Sequence, residues 1–382
     1  MSGRLELRRG TVVATEPLTV DVGGERRPAW ADTVLLGEMR AGDEVVVNVV
    51  ALDLDLGSGG FDVVHVNLSR GLEGGGGPSD EHVVKLNYTS LQHPVAPIES
   101  TTVARFETHE AGGKGTTEVE ETVARFRTHE ISGKGTSQLK GVGGKSPEAA
   151  ETGAPVAVSA LVLPLHGHLA PAAWAAAQAA PGAQVGYVQT GGGALPGWLS
   201  RDVAELRERG LLCGHITAAP AYGGEHEALS TVGALDAANR LGWDAVLVGP
   251  GPGIIGSDTE FGHGGMAALD SAHAALSLKL PTLLSPRLSS SDPRERHLDV
   301  SHHTYTVLEL LLAPVDVAVP EAEDSISTAL EEAPGRHRLR HAPADLDAYA
   351  TAGLPIRTMG RTLAEDPLFF AAPLAAGRLL AG

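Results

Sequence analysis

Four consecutive residues, Ser301, His302, His303 and Thr304, combine a helix-capping hydroxyl with two imidazoles. Ser is a favoured helix N-cap, and a neutral imidazole near pH 7 can give or take a proton. The positive end of a helix favours that neutral form. Neighbours on a helix diverge by about 100°, so one of His302 and His303 would face a site while the other supports it, unless the whole turn only caps the helix. Upstream, Gly249-Pro250-Gly251-Pro252-Gly253 runs on through Gly256 to Asp258 directly after an apolar stretch. Glycine in that context lets backbone N–H groups approach a phosphate or carboxylate. The two prolines remove donors, and a plain turn competes with anion binding. Arg287, Arg294 and Arg296 could clamp the same anion bidentately, or pair locally with Asp292 and Glu295. Gly223 and Gly224 precede Glu225, which would handle protons with one of the two histidines, and Asp258 could orient water or a hydroxyl.

His166 and His168 stand two apart, so in an extended loop both rings would point the same way, as divalent-metal ligands often do. Glu225 and Glu227 could add oxygen ligands, and His302 or His303 a nitrogen. Hydrogen-bonding loop histidines are the commoner alternative. His226-Glu227 lacks the second His of a zincin helix, and Cys213 is the only cysteine, so neither a Cys pair nor an intrachain disulfide exists. No G-x-S-x-G elbow surrounds Ser200, Ser230 or the serines at 289–291, which argues against a serine hydrolase of the α/β type.

The elements that must position these residues are legible in the apolar pattern. Five apolar runs between residues 156 and 286 each end in Gly, His, Ser or acidic residues, at 166–168, 191–193, 222–227, 249–258 and 287–297. Helical stretches fill the intervals, at 171–180, 196–209, 227–241, 266–278 and 303–312, and a further run at 315–319 closes the series. Such alternation predicts an α/β fold: a mostly parallel, Rossmann-like, three-layer sheet domain over residues 154–382, with a helical tail from Asp345. In such sheets ligands bind outside the carboxyl ends of the strands, so the bursts point to one site. The glycine loop belongs to the fourth strand and no acid ends the next, which does not fit a dinucleotide fingerprint.

Residues 1–98 read as a separate small β domain, a barrel or sandwich. Runs at 11–13, 33–36, 43–52 and 61–68 are punctuated by glycine turns. Between 99 and 153 the character changes. Thr102-Val103-Ala104-Arg105-Phe106 through Thr116 recurs as Thr122-Val123-Ala124-Arg125-Phe126 through Thr136, a tandem duplication that would form a hairpin or flap. Its Gly-Lys-Gly-Thr element misses the P-loop pattern. Residues 140–152 read as linker.

The formal net charge of −18 repels nucleic acid and anionic membrane surfaces, and no basic block overcomes it. Neither a signal peptide nor a span of eighteen apolar residues is present, so a cytoplasmic protein is expected.

Several motifs resemble an uncharacterised bacterial family known as domain of unknown function 3866. They are Gly42-Asp43 through Asn48, Leu56-Gly57-Ser58-Gly59-Gly60, Lys85-Leu86-Asn87-Tyr88-Thr89-Ser90-Leu91-Gln92, Tyr222-Gly223-Gly224-Glu225 with Glu227-Ala228, the glycine loop through Gly256, Asp292-Pro293-Arg294 with Arg296-His297, Ser301-His302-His303-Thr304, and Met359-Gly360-Arg361. The resemblance spans most of the chain outside residues 99–153, and Ser301 to Thr304 is its most specific part. It implies no established activity. The family pattern carries Asp where this chain has Gly191, which removes an acid from the second strand end, and the duplication looks like an insertion.

The expected function is hydrolysis or group transfer on a small anionic, phosphorylated or nucleotide-like molecule. The alternative is a non-catalytic sensor or scaffold for such a molecule, with residues 100–136 engaging a protein partner or a second copy of the chain.

Overall fold

The computed structural model describes residues 4–54, 60–72, 81–100, 158–193, 196–257, 259–333 and 337–380. The tandem duplication, the 140–152 linker and Asp258 lie outside them.

The chain opens with a five-stranded closed barrel made of β1 (Leu7–Thr15), β2 (Leu18–Val22), β3 (Glu25–Trp30), β4 (Glu44–Asn48) and β5 (Asp62–Asn67), in the order β1-β2-β3-β5-β4. Alternate side chains point inward along each strand, so Val12, Val20, Val45, Val47 and Val64 fill the interior with Ala31, Met39 and Val49. Residues 33–36, expected as strand, instead form a single helical turn, α1 (Thr33–Leu36). Asp32 caps it, accepting from Leu35 N at 3.1 Å, and a satisfied cap outweighs the β preference of so short a run. The apolar run at 43–52 likewise divides, because the Asn48 side chain accepts from Val50 N and starts α2 (Val50–Asp53).

A short hairpin, β6 (Val83–Lys85) with β7 (His93–Val95), follows the barrel and reaches the edge of the main sheet. Lys85 Nζ donates to Thr217 O at 2.8 Å and Ala221 O at 2.7 Å and pairs with Glu227. Tyr222 OH donates to Asp32 of the barrel at 3.2 Å.

The main sheet is eight-stranded and parallel throughout. Its strands are β8 (Ser159–Val162), β9 (Val185–Thr190), β10 (His215–Ala218), β11 (His226–Ala228), β12 (Ala245–Pro250) and β13 (Thr282–Leu284), followed, after a two-residue antiparallel pair β14 (Leu288–Ser289) and β15 (Asp299–Val300), by β16 (Asp316–Pro320) and β17 (Arg338–Ala342). The order is β11-β10-β9-β12-β8-β13-β16-β17. Every residue of β9, β10 and β12 is buried, as expected of strands covered on both faces. Their neighbour β8 alternates: Ala160 and Val162 join one core, Leu161 and Leu163 the other.

Helices cover both faces. In chain order they are α3 (Leu169–Ala179), α4 (Arg201–Glu208), α5 (Thr231–Arg240), α6 (Ala267–Ser277), α7 (His302–Leu310), α8 (Asp324–Glu331), α9 (Leu346–Ala350) and α10 (Pro367–Leu380). Helices α5 to α8 supply apolar side chains to one core, and α3, α4, α9 and α10 to the other. The fold is therefore the three-layer, Rossmann-like α/β arrangement preceded by a β barrel.

Two elements depart from the apolar pattern. Residues 226–228 form the edge strand β11, and the helix expected from Glu227 begins only at Thr231, after the Ser230 cap. Strand β17 extends the sheet beyond residue 319; its exposed Arg338 and Arg340 pair with Asp316, so as an edge strand it lacks the apolar signature of its neighbours.

Candidate functional site

Strand placement reverses at β8. The chain first moves outward to β9, β10 and β11, then returns to lay β12 on one side of β8 and β13 on the other. A cleft of about 490 Å³ opens beyond the carboxyl ends of these three strands, where the topology of an open sheet leaves a crevice. Its walls are Leu165, His166 and Gly167 after β8, residues 251–257 after β12, and Arg287, Arg294, Arg296 and His297 after β13. Asp202, His303 and Phe369 complete it, with Arg357, Thr358 and Met359 from the hairpin of β18 (Arg357–Thr358) and β19 (Arg361–Thr362). Three of the five strand-end bursts thus meet in one place, and four arginines line a single cleft of an acidic chain.

The segment after β13 is folded back on α7. Pairing of β14 with β15 sets Leu288 opposite Val300, Ser301 N donates to Arg287 O at 3.0 Å, and Arg287 N donates to Thr304 Oγ1 at 2.9 Å. Ser301 is the N-cap of α7, its Oγ accepting from His303 N at 3.3 Å and lying 2.7 Å from His297 Nδ1. Ser301 and Thr304 therefore position the histidines and Arg287 and do not line the cleft themselves.

Asp292 organises the arginines. Its buried carboxylate accepts from Arg294 Nε and Nη2, both at 2.9 Å, and from Arg361 Nη2 at 3.3 Å, while Arg287 Nη2 lies 3.5 Å away. Burial alone would raise the carboxyl, but the hydrogen bonds and charges of Arg294 and Arg361 outweigh it and hold Asp292 well below the ordinary range. Burial lowers Arg287 to about 10, with Arg294 adding repulsion, and the guanidinium stays charged at neutral pH.

The glycine loop contributes shape as well as backbone. A side chain at Gly249 would meet Leu163 O at 2.5 Å, so packing beneath the cleft requires glycine there, and one at Gly251 would displace the Gln189 amide, whose Nε2 lies 2.4 Å away. Gly253 turns the chain at φ +83°. Gly256 then pairs with His263, and Ser257 N donates to Gly262 O at 2.7 Å, closing a small loop that carries His263 back to α7. His263, His302 and His303 each offer a nitrogen within 4.8 Å of the others, and His297 packs against His302 and His303 with ring centres 4.9 Å away. Among the described residues no other group of three His, Cys, Asp or Glu is placed to share a metal ion. His263 is invisible to spacing arguments; its only sequence signal is its place between glycines 262 and 264 after the turn-rich loop.

Two expectations need correction. The 222–227 burst does not reach the cleft. After Ala218 the chain doubles back, so that His226 lies opposite Ile216 and Glu225 falls near the start of β10, paired with Arg207 at 2.5 Å. Gly223 N donates to Glu227, and a side chain at Gly223 would strike the Trp198 ring at 2.4 Å; Gly224 N donates to Thr217 Oγ1. These residues build the sheet edge that receives Lys85. Nor do His166 and His168 share a direction. They form a 3-10 turn in place of an extended loop: His166 Nε2 lies 2.8 Å from Ser200 Oγ, whereas His168 is buried beside Phe369 with Nδ1 on Ser285 Oγ at 3.0 Å.

His166 does face the cleft, with Asp202 3.9 Å from its Nε2. Burial pushes the imidazole down to about 4 and raises the Asp202 carboxyl, so the two affinities for a proton approach each other. Asp202 escaped the sequence reading because an acid in the first turn of a helix is usual.

The fold and cleft define a parallel α/β protein with an arginine-lined crevice at its topological switch point. The chain belongs to the family described as Protein of unknown function (DUF3866), which matches residues 29–113 and 149–377. No curated protein and no solved structure matches it. Among the described residues no helix is long and apolar enough to cross a membrane.

Proposed function

We propose that the protein is an enzyme that binds a small phosphate- or carboxylate-bearing molecule in the switch-point cleft and catalyses hydrolysis or group transfer on it. The convergence of Arg287, Arg294, Arg296 and Arg357 on one crevice, in a chain of net charge −18, carries this reading. Planar guanidinium groups match phosphate and carboxylate oxygens in pairs. The apolar wall of Leu165, Ile254 and Phe369 suits the remainder of a small organic molecule. His166 and Asp202 would move the proton: a neutral imidazole can accept it, and a carboxyl with raised affinity can return it.

Thermal unfolding with inorganic phosphate, nucleotides and sugar phosphates tests the binding, because a ligand specific to the native state raises the melting temperature. Stabilisation by such anions, abolished by Arg294→Gln combined with Arg296→Gln, is the expected result. Absence of stabilisation by every anion at millimolar concentration overturns the cleft assignment. Phosphate release from the stabilising esters, slowed by Asp202→Asn, is expected of an enzyme. Binding without turnover overturns the catalytic part.

A further inference from the structure

We propose that His263, His302 and His303 bind a divalent ion of the zinc class at the rim of the cleft, leaving a coordination position for water or ligand. Three independent features carry the assignment. The first is convergence. The three donor nitrogens lie within 4.8 Å of one another, although His263 comes from the loop after β12 and the other two from the first turn of α7. Tetrahedral zinc holds nitrogens at 2.0–2.1 Å, which implies separations of about 3.4 Å between them, so the nitrogens draw closer and the rings turn until their lone pairs converge.

The second feature is His263. The residue is only 7% exposed, and neither of its buried ring nitrogens has a hydrogen bond of ordinary geometry. A buried polar group left in that state is costly, and a metal ion would use the lone pair that no protein group takes. Its ring stacks on His303 with centres 3.5 Å apart and planes within 7°, so the in-plane lone pairs of the two rings run side by side and His263 turns out of the stack when the two share an ion.

The third is Gly265. A side chain there would lie 3.0 Å from His263 Nδ1 and 3.1 Å from His303 Nδ1. Both Nδ1 atoms therefore border one small space that glycine keeps open. Arg287 Nη1 now lies 3.0 Å from His303 Nδ1, and because a guanidinium only donates, that nitrogen carries its lone pair outward. A cation already fits this position. When a metal takes it, Arg287 moves off His303, and Asp292, 3.5 Å from Nη2, is placed to receive it. Burial, with the positive charge of nearby Arg287, lowers all three imidazoles toward the neutral form that metal ligation requires.

Three imidazoles select zinc, cobalt, nickel or copper over magnesium and calcium, which prefer oxygen. Three protein ligands with an open fourth position are also the pattern of zinc sites that activate water. Binding of the ion does not depend on the proposed reaction; use of that water on an anion in the cleft rests on it.

The full chain, stripped with a chelator, is titrated with Zn²⁺ alone by calorimetry and with Co²⁺ alone by visible absorption. One ion per chain, with the intense visible bands of low-coordinate cobalt, is expected. His302→Ala and His263→Asn should lose stoichiometric binding, and His226→Ala, at an exposed position outside the cluster, should keep it. Gly265→Ala retains all three imidazoles and should weaken the ion about 10- to 100-fold, the scale of an outer-shell change. Failure of the native chain to bind one ion, or equal binding by the His302→Ala and Gly265→Ala variants, overturns the site. If His263→Asn does not fold, His302→Ala and Gly265→Ala decide alone.

Discussion

Replacing Asp292 by Asn removes one charge and leaves the shape of the side chain, so the outcome reports on electrostatics with no cavity to confuse it. Asp292 is wholly buried and faces three guanidinium groups, of which Arg287 and Arg361 are only 5% and 14% exposed. Arg294, at 44% exposure, is partly screened by water, and its share of the loss is small. Removing one partner of a buried ion pair costs about 3–5 kcal/mol. With Arg294 discounted, the expected loss for Asp292→Asn is about 3–4 kcal/mol at pH 7. Urea unfolding followed by tryptophan fluorescence reads it as a lower midpoint at unchanged slope. Because the folded carboxyl is held below its ordinary 3.8, its contribution is complete above that value and is lost as pH falls through the lower, folded one. The gap between native protein and variant should be constant from pH 7 to 5 and narrow below about pH 4. Phosphate should recover part of the loss, since it can replace the missing negative charge among the arginines. A loss under about 1 kcal/mol, the range of a surface pair, or weaker stabilisation by phosphate in the variant than in the native chain, would refute the argument that Asp292 is the counter-charge of the proposed anion site.

Lys85→Met leaves Glu227 and two carbonyl groups without their ammonium, and should cost about 3–5 kcal/mol in the same urea experiment. Adding Glu227→Gln should return part of it; an additive or larger loss contradicts the pairing. Acid sensitivity should begin well above the carboxylate range. Burial lowers His168 and His215 from the ordinary 6.5 to about 3, so the unfolded chain takes up protons first, and stability present above pH 6.5 is lost as pH falls. The slope is roughly 1.4 kcal/mol per pH unit for each histidine, and urea midpoints that stay level from pH 7 to 5 would exclude it.

The sheet was legible because burial on both faces writes itself as apolar runs, as at 185–188 in β9 and 245–248 in β12. Barrel strands such as Glu44–Asn48 were legible through alternation. Polar edges were not: Arg338–Ala342 is paired on one side only, and His226–Ala228 meets a single bridge from Pro97 to Glu227 on its outer side, so both have few apolar residues to show. At the site, the glycine loop, the arginines and the turn at Ser301 could be assigned to strand ends, and the topology then gathers them. Glu225 could not be placed, because apolar periodicity does not report that a loop folds back along its own strand. His166 and His168 turned on a local conformation, 3-10 against extended, that two residues of spacing cannot decide. His263 and Asp202 gain their meaning only from neighbours distant in sequence.

The ammonium of Lys85 and the carboxylate of Glu227 are separated by 142 positions in the chain. Any cut between residues 100 and 158 would put one charge in each fragment, and each would have to be taken out of water without its complement. The barrel-bearing segment is thus no appendage that evolution or a protease can remove at little expense. It completes the edge of the very sheet whose opposite ends of the strands form the cleft, and the two halves of the chain are each a cofolding partner for the other.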